Sequence, residues 1–163
     1  MINSYQSKLS HPGLWGHEIK SQQIQPVQLT IANAKEYQQV LPEALAKLSQ
    51  LSQLGQWIML VGNATAQFKR QLATAGVNLN RVLMVHPKDQ FDAIFATEQA
   101  MVSKNCSAVI AFTETLNQID VKRMQRLNKS ARCATFVFQG VSACSLLASN
   151  STQMAVYSTA ELH

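Results

Sequence analysis

The chain has 163 residues, 47% of them hydrophobic and 14% charged, with a formal net charge of +5, which suits one folded core and leaves little for a second. No apolar run approaches the roughly 20 residues that span a bilayer, and the opening MINSYQSKLSHPGLWGHEIK lacks a secretory pattern, so a soluble cytoplasmic protein without membrane contacts is expected. Cys106, Cys133 and Cys144 form no CxxC pair, and His11, His17, His86 and His163 form no HxxxH or HExxH, so neither a metal nor another cofactor is expected.

Residues 1–33 are rich in Gln, Ser and Asn, are broken by Pro12, Gly13 and Pro26, and show no period, which predicts a loosely ordered arm before a domain over 34–163. Trp15 is too apolar for a free tail and is expected to dock on the domain or on a second copy. From Leu41 the residues Ala44, Leu45, Leu48, Leu51 and Leu54 continue one helical stripe, opened by Pro42 and closed by Gly55. Strand-like runs then follow at Trp57–Val61, Arg81–Val85, Ala108–Phe112 and Ala134–Phe138, alternating with helical patterns near Ala64–Thr74, Asp89–Ser103 and Asn117–Ser130. Met154–Ser158 could add an edge strand after the Ser-rich stretch Ser142–Thr152. Short β alternating with longer α means crossover connections, hence a three-layer α/β domain with a mainly parallel sheet covered on both faces.

The segment WIMLVGNATAQFK, residues 57–69, reads strand, glycine turn, helix start, which is where a nucleotide-binding α/β protein carries its phosphate loop. With the first glycine at Gly62, Gln67 stands in place of the second glycine and Phe68 in place of the lysine. Glycines let backbone N–H groups close around the anion and the lysine reaches the outer phosphates. Gln67 and Phe68 supply neither. Ligands in parallel sheets sit at the carboxyl ends of strands, here Gly62-Asn63-Ala64, His86-Pro87-Lys88, Thr113-Glu114 and Gln139-Gly140. The third of these offers only Glu114, one step late for a magnesium ligand and better read as a helix-start residue. Ser142 and Cys144, in VSACS, have no glycine-flanked elbow and no histidine partner. Nothing in the residues argues for an enzyme.

The excess of Lys and Arg, 14 against 9 acidic residues, attracts an acidic partner. Lys122, Arg126 and Lys129 share one helical face beside Arg123 and Arg132, read as a solvated outer face. No aromatic residue interleaves with these charges on that helix, which argues against nucleic acid.

The stretch WIMLVGNATAQFKRQLATAGVNLNRVLMVHPK, with its strand-opening tryptophan, A-G helix end, L-N-x-R connection and basic turn, resembles the SulA family of bacterial cell-division inhibitors. LPEALAKL, QAMVSKNCSAVIAF and FVFQGVSACS follow the same family's order, so the resemblance covers about residues 40–150. It implies a RecA-like fold without the nucleotide-binding loop. It also implies induction by DNA damage in the SOS response, binding to the tubulin-like protein FtsZ, a block of FtsZ polymerisation and GTPase, and so delayed septation. Homodimerisation and removal by the Lon protease belong to the same implication, with the terminal His163 as protease-recognition residue. Positions linked with inhibition fall at Gln56, Val61, Gln71 and Arg81, of which Val61 and Arg81 keep the family's chemical type. Arg81 and Lys88 bracket a strand and are expected on a face that meets an acidic partner, whereas Trp57 and Phe68 are expected in the core. Two other readings stay open. One is a RecA-like DNA-repair accessory protein that binds single-stranded DNA or a translesion polymerase, the other a degenerate ATPase that still binds nucleotide.

Overall fold

Side chains in a strand point alternately to its two faces, and in the run WIMLV both sets are apolar, as a strand covered on both sides requires. The computed structural model describes residues 28–141. In it this run is β2 (Trp57–Val61), with Ile58 and Leu60 buried in one core and Val61 in the other. The chain runs β1 (Leu29–Asn33), α1 (Tyr37–Ser52), β2, α2 (Ala66–Thr74), a single 3-10 turn (Leu79–Arg81), β3 (Val82–Val85), α3 (Gln90–Val102), β4 (Cys106–Thr113), α4 (Gln118–Asn128) and β5 (Ala134–Gln139).

The five strands lie in the order β1-β5-β4-β2-β3, and every neighbouring pair is parallel. β4 is central and almost wholly buried, from Cys106 to Ala111, and in register with β5 from Ala108↔Ala134 to Thr113↔Gln139. α1 and α2 cover one face through Tyr37, Leu41, Leu48, Phe68 and Leu72. α3 and α4 cover the other through Ala93, Ile94, Met101 and Met124. The expected three-layer α/β sandwich is therefore present, and "RecA-like" describes it only loosely.

Each of the three later helices starts on a polar cap. Thr65 accepts from the Phe68 N–H at 3.1 Å, Asp89 from that of Asp92 at 2.8 Å, and Asn117 from that of Asp120 at 2.8 Å. Such caps satisfy N–H groups that the helix itself leaves open.

Three expectations need correction. The tail end of the supposed arm, Leu29–Asn33, is an edge strand paired with β5, because LTIAN is apolar enough to extend the sheet. α1 starts at Tyr37, so Pro42 lies inside it rather than opening it, and Leu54 is exposed beyond its end. Glu114 precedes Asn117, the cap of α4, by three residues and belongs to the β4–α4 loop, not to a helix start. Trp15, Cys144, His163 and the strand expected at Met154–Ser158 lie outside the described residues.

The two described cysteines are buried and free. Burial, with the neighbouring Cys133 second, pushes the Cys106 thiol up to about 11. Burial raises Cys133 as well, and its Sγ lies 3.5 Å from the Met101 carbonyl oxygen. A thiol held neutral is a poor nucleophile.

Candidate functional site: an altered nucleotide crevice and a basic strand edge

The turn after β2 closes tightly against β4. Gly62 has φ +108, and a Cβ there would stand 2.8 Å from the Phe112 carbonyl oxygen, so both conformation and space require glycine. Only Asn63, Ala64 and the cap Thr65 separate Gly62 from α2. The phosphate-loop positions thus fall inside the helix. Phe68, in place of the lysine, is buried with its ring edge-on to Phe112 at 5.0 Å between centroids. A side chain that would have reached for phosphate instead fills the core.

A crevice of about 470 Å³ remains at the carboxyl ends of the strands, lined among others by Gly62, Lys88, Asp89, Gln90, Thr113 and Glu114. Its loops are tied together by side chains: Gln90 Oε1 accepts from the Glu114 N–H at 2.9 Å and Gln139 Oε1 from the Leu116 N–H at 3.0 Å. Lys88 is the cation among its described lining residues, which also include Asp89 and Glu114. That balance does not favour a triphosphate. Thr113 Oγ1 is buried there without a hydrogen-bond partner.

The amino end of the same sheet is different. Arg81 stacks its guanidinium over Trp57, 5.5 Å from Cζ to the ring centroid. The neighbouring Gln56 donates from Nε2 to the Lys104 carbonyl at 3.4 Å, and the Trp57 N–H donates to the Asn105 carbonyl at 2.9 Å. Gln56 and Arg81 therefore share one end of the sheet, beside β3, one of its two edge strands among the described residues.

The other expected site residues scatter. Lys88 follows β3 at its opposite end, so the four strand residues, about 3.3 Å each, separate it from Arg81. Arg81 and Lys88 thus bracket β3 from its two ends, as expected of residues flanking a strand. Val61 is 0% exposed and packs in the core beneath α3 with Ala93 and Ile94. Gln71 lies on α2 in a shallow groove with Leu45, Gln67 and Arg70. Sequence reasoning missed the Arg81–Trp57 stack. Two residues separated by 24 positions but adjacent across the β2–β3 pair carry no local signal.

The profile described as "Cell division inhibitor SulA" matches residues 29–136, the whole sheet except residues 137–139 of β5. The chain belongs to the SulA family. A protein named cell division inhibitor SulA from Edwardsiella piscicida is 30% identical over 103 residues, which cover 61% of this chain and 58% of that relative's length. The crystal structure of SulA from Pseudomonas aeruginosa superposes with a TM-score of 0.54 at 19% identity, covering 68% of this chain and 96% of that one. At that identity the likeness speaks for the fold. Among the described residues, no helix is long and apolar enough to cross a membrane.

Proposed function

We propose that this protein inhibits cell division by binding FtsZ and removing subunits from polymerisation and GTP hydrolysis, with expression induced by DNA damage. The observation that carries the reading is the SulA match over residues 29–136. The crevice supports it, because Phe68, standing where a phosphate loop carries its lysine, is buried in the core and cannot reach a phosphate. Polymer growth uses a head-to-tail interface, so masking one end of each subunit depletes the pool able to extend. The inhibitor then acts by stoichiometric binding. We place the FtsZ contact at the amino end of β3, with Arg81 as its main residue and Gln56 beside it. Trp57 holds the guanidinium in place, so less freedom is lost on binding than for a free surface arginine. Lys88 and Gln71 belong to other surfaces and contribute to that contact less. Homodimerisation, and removal by Lon through His163, complete the proposal.

Purified protein is titrated into FtsZ with GTP and polymer is followed by sedimentation. Polymer vanishes near equimolar inhibitor, Arg81→Glu prevents this without lowering the melting temperature appreciably, and Lys88→Glu leaves it largely intact. Full polymer at several-fold excess refutes the FtsZ reading, and an Arg81→Glu variant of undiminished potency refutes the placement.

A further inference from the structure

The outer surface of α3 and α4 is not used by the account above. On α3, Phe91, Phe95 and Val102 fall within about 40° of one another around the axis. They are 83%, 61% and 46% exposed. Glu98, on the same stripe, pairs with Arg123 of α4, which also lies 3.7 Å from Asp120. Both helices return across the same face of a parallel sheet, so they run side by side in one direction. Ile119, one turn before Arg123 and 74% exposed, lies within about 20° of Arg126 around the axis, on the outer side of α4. Beside it, Lys122, Arg126 and Lys129 form a second rail, exposed and without an acidic partner among the described residues.

We propose that this α3/α4 seam is a docking groove for an amphipathic helix of a partner protein, apolar along one stripe and acidic along the next. Charge complementarity selects the occupant: three unpaired cations flank one side and large apolar groups the other. The geometry selects a helix. The apolar rail, eleven helical steps from Phe91 to Val102, is about 16 Å long at 1.5 Å per step, some three turns of helix. The two rails ride on helices packed about 8–10 Å apart, close to the width of one seated helix. Single-stranded nucleic acid needs cations and stacking rings along one path, and here they are segregated.

The probe is a labelled helical peptide with Leu at one i, i+4, i+7 stripe and Glu at the adjacent one, titrated with the full chain by fluorescence anisotropy. A peptide of scrambled order, phosphatidylglycerol vesicles and oligo-dT serve as competitors. The proposal expects saturable binding that Phe95→Ser and Arg126→Glu each weaken about tenfold. Both side chains are exposed, so thermal melts stay unchanged. Absence of binding, equal binding of the scrambled peptide, insensitivity to either variant, or stronger competition by vesicles or oligo-dT than by unlabelled peptide overturns it. FtsZ inhibition by both variants is measured in parallel and stays intact, which separates this groove from the Arg81 contact.

Discussion

The two helical layers treat their aromatic residues in opposite ways. On the α1/α2 side Tyr37 and Phe68 are buried, Tyr37 edge-on to Phe138 at 5.0 Å between ring centroids, and no large apolar side chain within either helix is exposed. On the α3/α4 side Phe91, Phe95 and Ile119 stand in solvent although Ala93, Ile94, Met101 and Met124 already fill the core. Folding explains every large apolar residue of the first layer and leaves a surplus on the second. Surplus of that kind marks surfaces that meet something else.

The comparison breaks most visibly if matched truncations behave alike. Phe68→Ala should lower stability by about 3–5 kcal/mol in urea denaturation, through lost burial and the cavity left against Phe112. Phe91→Ala should change it by less than about 0.5 kcal/mol. Similar losses at both positions would mean that Phe91 is covered in solution. Gly62→Ala comes next, with a loss of about 1–3 kcal/mol, because a Cβ must be fitted at φ +108 against the Phe112 carbonyl. A near-neutral result would show that the turn after β2 relaxes.

A pH profile sharpens the contrast on the second face. The folded pKa of Cys106 is raised to about 11, so above the ordinary thiol range the unfolded chain has lost a proton that the folded chain still holds. Its stabilising contribution is complete below that ordinary range and is lost as pH rises toward about 11. Cys133 adds a loss of the same sign, and Tyr37, raised to about 12 by burial, extends it on the first face. Chemical denaturation at a series of alkaline pH values should show Cys106→Ala flattening the thiol part of that slope. The smallest effect is Thr65→Ala, about 1 kcal/mol for one lost helix cap, read from the same denaturation curves.

Much of the fold was legible because strong punctuation coincides with strong periodicity. Trp57–Val61 was placed to the residue, since WIMLV ends on a glycine that the turn requires. β1 was missed because LTIAN follows a glutamine-rich tract and pairs with Thr135–Gln139, more than a hundred residues away. The surplus on α3 was hidden for a related reason: QFDAIFATEQAMV is apolar on several sides, so no single stripe declares which residues stay outside. At the site, the loss of phosphate chemistry at Gln67 and Phe68 was readable from residue types alone. The grouping of Gln56 with Arg81 was not. That information lies in which end of the sheet each loop occupies.

The central claim is that the protein works by occupying a partner and not by chemistry in its crevice. The most direct measurement is the FtsZ GTPase rate as a function of inhibitor added, at an FtsZ concentration well above the dissociation constant. A linear fall that ends near one inhibitor per FtsZ subunit, the same with or without ATP, is the predicted result. Inhibition complete at a small fraction of that ratio, or dependent on ATP, would contradict it and return attention to the crevice.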